Sequence, residues 1–115
     1  MEKILDFTNL KQPTFPIVLR DGDGKLELEL SIPTLGIVER IEAAGEEFDG
    51  LYQVGDVQGI VSAYRLVADI LSHNQNGIQI TAEDLRDRYK MNLYEMRVFC
   101  FTYRDFMREI ESAKN

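Results

Sequence analysis

Residues 25–32 read Lys25-Leu-Glu-Leu-Glu-Leu-Ser-Ile32, a strict alternation of apolar and polar side chains that runs into Pro33. In an extended chain successive side chains point to opposite faces, so Leu26, Leu28, Leu30 and Ile32 share one face and Glu27, Glu29 and Ser31 the other. Upstream, Phe15, Ile17 and Leu19 recur with the same period. Between the two runs lies Arg20-Asp-Gly-Asp-Gly-Lys25, where Gly22 and Gly24 accept positive φ without steric cost and Asp tolerates it. The stretch predicts an antiparallel β-hairpin over 15–32 with one apolar face. Residues 1–14 carry weak signals, and Pro13 with Pro16 limits regular strand there.

Beyond the hairpin the period changes from two to that of a helix. Pro33 stands where a helix can begin and Thr34 offers a capping oxygen. Leu35, Val38, Ile41 and Ala44 then recur at helical spacing, with Gly45 as a C-cap. Residues 46–55 read as a loop. From about Asp56, Val57, Ile60, Val61, Tyr64, Val67, Ala68 and Leu71 form one stripe, flanked by Leu66 and Ile70. His73-Asn-Gln-Asn-Gly77 ends that helix, with Gly77 available for a left-handed cap. Thr81 heads a short helix carrying Leu85 and Tyr89, and Asn92-Leu-Tyr-Glu95 has the form of a capping box. The last helix carries Leu93, Met96, Phe99, Cys100, Tyr103, Phe106, Met107 and Ile110 as a broad apolar stripe. The expectation is one α+β domain over 1–115: an antiparallel hairpin at 15–32, then a bundle of about four α-helices over 33–113.

With 115 residues, 44% of them hydrophobic, the chain can bury a core without staples. Its apolar runs are far too short to cross a bilayer, and Met1-Glu2-Lys3-Ile4 lacks the apolar core of a signal peptide. A lone cysteine, Cys100, excludes an internal disulfide and fits the reducing cytoplasm, where the chain is expected. The net charge of −7 is uneven: residues 1–60 hold 12 acids and 5 bases, whereas residues 61–115 hold 8 of each. Such a field repels phosphate backbones and suits a basic protein partner; it also keeps a small protein soluble.

Several chemistries are excluded by spacing. Asp21-Gly-Asp-Gly-Lys25 begins like a calcium loop, but the fifth, sixth and twelfth positions hold Lys25, Leu26 and Ile32 instead of an oxygen ligand, glycine and glutamate. His73 is the sole histidine and has no second histidine or cysteine pair with which to hold a metal. Cys100 sits on the apolar stripe between Phe99 and Phe101, the setting of an inert thiol. Ser31, Ser62, Ser72 and Ser112 lie in no nucleophile-elbow motif, and no glycine-rich phosphate loop is present. These readings point to a protein without enzymatic activity, cofactor or metal.

Residues 78–111 also admit a helix-turn-helix reading, with Arg97, Arg104 and Arg108 facing DNA. The same helix carries Glu95, Asp105, Glu109 and Glu111, so its surface is mixed in sign, and a chain of net charge −7 lacks the electrostatic term that dominates DNA affinity. A small DNA-binding regulator is kept as an alternative function.

The order of elements resembles the tail assembly chaperones of long-tailed bacteriophages and prophages of Gram-positive hosts. The residues that carry the resemblance are the hairpin with its Gly24-Lys25 turn, the strand ending Leu30-Ser-Ile-Pro-Thr34, the capped Ile80-Thr-Ala-Glu-Asp-Leu85 segment and the charged last helix. It covers residues 15–113 and rests on layout, with no invariant motif. The resemblance implies a non-enzymatic protein that coats the tape measure protein, recruits tail tube subunits and is absent from the finished virion. A structural tail component, such as a completion or connector protein, is the second alternative.

Reversible protein binding calls for an apolar patch in charged surroundings. Phe48, Leu51 and Tyr52, flanked by Glu46, Glu47 and Asp49, are the first candidates; they either fold onto the core as a lid or face a partner. The unpaired edge of the hairpin is the second, since another chain can extend it and give homo-oligomers or a bound segment, with Glu27 and Glu29 limiting promiscuous pairing. Phe99, Tyr103 and Phe106 read as core, whereas Tyr94 and Phe101 fall off the centre of the stripe and are candidate surface anchors.

Overall fold

A computed structural model of the chain describes residues 4–8, 10–43 and 57–112. The loop holding Phe48, Leu51 and Tyr52, the Gly45 cap and the helix start at Asp56 lie outside the described residues. Within them the chain is α+β. Strands β1 (Phe15–Asp21) and β2 (Gly24–Leu30) pair antiparallel, from Phe15 opposite Leu30 to Asp21 opposite Gly24. Helices α1 (Leu35–Ala43), α2 (Val57–Ser72) and α3 (Leu93–Ser112) follow, with a π-helical turn (Asp84–Arg88) between the last two.

The hairpin loop is the two residues Gly22-Asp23. Positive φ falls on Gly22 alone, at +62°, which is the glycine-first pattern of a two-residue turn. Gly24 is already the first residue of β2 and uses ordinary backbone angles, so only one of the two expected glycines serves the turn. The alternation continues to Ile32 in sequence, but the ladder stops at Leu30. Beyond it the Ser31 N–H bonds to the carbonyl of His73 (2.9 Å) and leaves β1 behind.

An isolated hairpin is marginal in water, and this one is held by its apolar face. Leu19, Leu28 and Leu30 are buried, with Phe15, Ile17 and Leu26 half-buried around them. Helix α2 is the hub, packing on β2, α1, α3 and the π-helical turn. Its buried residues are Ala63, Leu66, Val67, Ala68, Ile70 and Leu71. Val57 and Val61, placed on the stripe by periodicity, are exposed, so the buried face is centred on Leu66 and Ile70 instead. On α1 the same shift appears: Ile41 is buried and Ile37 packs on the core, while Leu35 is exposed.

Two polar devices fix the connections. Asn74 forms an isolated bridge with Leu30, and its side chain uses its full capacity. Its amide donates to the carbonyls of Leu71 (2.7 Å) and Ile78 (2.8 Å), and its Oδ1 accepts from the N–H groups of Asn76 (3.0 Å) and Ile78 (3.1 Å). The Ser72 hydroxyl donates to the Ala68 carbonyl and accepts from the Ile80 N–H, tying the end of α2 to the next segment. Gly77 does take positive φ, at +70°, but inside this turn rather than at the helix end, which is Ser72. His73 belongs to the same junction, with Nε2 3.2 Å from the Ile32 carbonyl.

Thr81 and Asp84 cap each other reciprocally, Asp84 N–H to Thr81 Oγ1 (3.0 Å) and Thr81 N–H to the Asp84 carboxylate (3.3 Å). The helix they start widens into a π turn, closed by Tyr89 N–H to Asp84 O (2.8 Å), and buries Leu85 and Tyr89 as expected. Lys90 then takes φ +50° and Met91 N–H reaches back to Leu85 O (2.8 Å), a left-handed ending of the Schellman kind with one extra residue in the loop. Asn92 and Glu95 form the expected capping box at the head of α3, with bonds of 2.8 and 3.0 Å.

Candidate partner-binding groove

The edges of the hairpin are unequal. Glu29 turns its backbone away from β1: its carbonyl accepts from Gln75 N–H (2.8 Å) and its N–H donates to Asn76 Oδ1 (3.0 Å). Pro16 opposite Glu29, and by alternation Val18 and Arg20, therefore also point their backbone groups away from the partner strand. This register suits Pro16, which has no N–H to lose. The far edge of β2 is thus occupied at Glu29 and Ser31 by residues 73–76. The outer edge of β1 is open: among the described residues, the outward backbone groups of Val18 and Arg20 bond to no backbone group.

Beside that edge runs a groove of about 450 Å³. One wall is β1, with Pro16 and Val18 at the rim. The other is the first half of α3, where Tyr94, Val98 and Thr102 stand one turn apart. Phe99, Leu19 and Met91, all buried, form its floor. Val18, Tyr94 and Val98 are exposed by 56%, 67% and 46%, unusual for three large apolar groups facing one concavity.

An ionic clamp closes one end. Arg20 donates to the carbonyls of Tyr89 (3.2 Å) and Lys90 (2.9 Å) and pairs with the carboxylate of Glu95. Hydrogen bonding from Arg20, joined by the Asn92 backbone N–H and partly opposed by burial, holds the Glu95 carboxyl below its ordinary range. Next to it Arg88 grips Asp21 with two bonds (3.0 and 3.1 Å) and lies over the Tyr89 ring. The Asp21 carboxylate that resembled the start of a calcium loop is thus one half of an ion pair.

The expected contact residues that fall within the described part of the chain take separate places. Tyr94 lines the groove. Phe101 is exposed by 46% with the Arg97 guanidinium 5.3 Å over its ring, on the solvent side of the same helix. Glu27 and Glu29 are exposed on the outward face of β2. Phe99 and Tyr103 are buried, and they join Phe15 and Phe106 in an aromatic cluster with ring centroids 5.4–6.0 Å apart. Cys100 is buried, and burial pushes its thiol up to about 12, so thiolate is scarce at neutral pH. Val18 and Val98 were not singled out from sequence. The signal was present: Val18 is the apolar residue on the polar parity of β1, and Val98 follows Tyr94 by one helical turn.

No protein-family model, no curated protein and no solved structure matches this chain. Among the described residues, no helix is long and apolar enough to cross a membrane.

Proposed function

We propose that this chain is a non-enzymatic assembly chaperone that holds an extended, apolar segment of another protein in the groove between β1 and α3. One observation supports the reading above others: an open strand edge lies directly beside an exposed apolar helix face. A strand edge supplies main-chain hydrogen bonds regardless of sequence, and the adjoining groove takes alternate side chains. Binding of this kind tolerates varied segments and remains reversible, as a transient assembly partner requires. The layout that resembles tail assembly chaperones makes the tape measure protein and tail tube subunits of a phage or prophage the proposed clients. The acidic surface favours basic segments of those clients and disfavours nucleic acid.

Co-expression with the tape measure and tail tube proteins of the replicon that encodes this chain tests the proposal. A complex at moderate salt that is lost in Val18→Asp and Val98→Asp supports it. Salt-sensitive binding to duplex DNA with no such complex overturns it in favour of a regulator. Retention of the protein in finished particles overturns it in favour of a structural tail component.

A further inference from the structure

Among the described residues, the segment before β1 is a further exposed apolar feature. Ile4, Leu5, Phe7 and Leu10 are exposed by 83%, 71%, 71% and 47%. Residues 4–14 contain one acid, Asp6, and one base, Lys11, so this is an electrically neutral stretch of a chain whose net charge is −7. The outward residues of the open β1 edge, Pro16, Val18 and Arg20, include no acid, whereas β2 presents Glu27 and Glu29. Like-charge repulsion thus opposes pairing of two copies through β2 but not the docking of a neutral arm on β1.

We infer that the groove between β1 and α3 accepts residues 4–10 of a second copy of this chain, by reciprocal exchange of arms across a two-fold axis. Added as a strand, the arm alternates its side chains. Leu5 and Phe7 fall on one side, over Tyr94 and Val98, and Ile4 falls on the other, beside Val18. The Asp6–Thr8 turn, held by an exposed 2.9 Å bond, opens in the exchange. Among the described residues, no backbone hydrogen bond joins residues 4–8 or Leu10 to β1 of their own molecule. Two arms with four large exposed apolar side chains each, together with the walls that receive them, supply the apolar surface that a specific interface between two copies needs. A C2 pair follows because each molecule carries both halves of the contact.

The inference rests on the groove being a strand-accepting site, and it makes the second copy's arm a competitor of the client. Sedimentation of the full chain across the micromolar range reads the outcome. The expected result is a dimer whose dissociation constant rises at least about ten-fold in Phe7→Asp and in Val18→Asp. Both substitutions fall on exposed side chains, and circular dichroism confirms that each variant is folded. A chain that stays monomeric, or a dimer indifferent to Phe7→Asp, overturns the exchange. Client binding by Phe7→Asp separates the two readings. If wild type is monomeric yet binds client through Val18, the exchange alone fails; if arm-dependent dimers form and no client binds, the chaperone reading alone fails.

Discussion

At Asn74 four hydrogen bonds converge on one side chain, and each satisfies a backbone group that the turn after α2 leaves without a helical partner. No other residue type presents two donors and an acceptor with two lone pairs from so short a stem. Asn74→Ala is expected to cost about 2–3 kcal/mol, because it strands several backbone groups at once. Urea unfolding of the variant checks this, and a loss no larger than that of an ordinary surface substitution contradicts it. Lys90 poses a different problem. Its φ of +50° is where a side chain strains against the backbone, and its carbonyl is fixed by Arg20. Lys90→Val, whose branched Cβ aggravates the conflict, is expected to lose about 1–2 kcal/mol, while Lys90→Gly should lose nothing. Thermal unfolding of the pair tests whether backbone angle, rather than the lysine charge, governs the position.

Elements were legible where local chemistry decides and displaced where tertiary packing does. The hairpin, its glycine turn, the Thr81 cap and the Asn92–Glu95 box follow from short-range rules, and each is present. The centre of the α2 stripe was misplaced by about one helical turn at its start. Periodicity marks an apolar face but cannot say which part of it meets a neighbour, and Val57 and Val61 stay exposed at the start of α2. The π-helical turn had no local signal, and the Asn74 junction depends on a strand more than 40 residues away. Half of the groove was visible in Tyr94; the other half, Val18, gains meaning only once β1 lies beside α3.

Two predictions belong to α3. The Glu95 carboxylate is held below its ordinary range chiefly by Arg20, so the native state favours its ionised form. That contribution is complete above the carboxyl pKa of the unfolded chain and disappears as pH falls through the lower folded value. Unfolding midpoints followed from neutral pH into the acid range should fall less steeply in Glu95→Gln than in wild type. Along the same helix, Phe101→Ala should change stability by less than about 1 kcal/mol, because nearly half of the side chain already faces solvent. Tyr103→Ala should cost about 3–5 kcal/mol, because it removes the ring on which Phe15, Phe99 and Phe106 converge. Equal losses at the two positions would mean that the aromatic stripe is buried on both sides.

For the whole molecule, the decisive question is whether the hairpin and the helices fold as one unit. The contacts require it. Among the described residues the inner face of the hairpin has no second sheet to cover it, and α2 touches β2, α1, α3 and the π-helical turn, so neither half has a complete core without the other. Leu28 sits at this seam, 2% exposed on the inner face of β2. Leu28→Ala is expected to lower stability by about 2–5 kcal/mol, the range for a buried leucine whose cavity cannot fully collapse. The loss should appear identically in two probes: far-ultraviolet circular dichroism, which follows the helices, and near-ultraviolet absorption of Tyr64, Tyr89 and Tyr103, which follows their packing. Coincident transitions, shifted together by the substitution, are the signature of a single cooperative unit. A hairpin that melted first would leave helical signal intact while tyrosine packing was lost. It would also dissolve the groove before the helices, because one wall of that groove is β1.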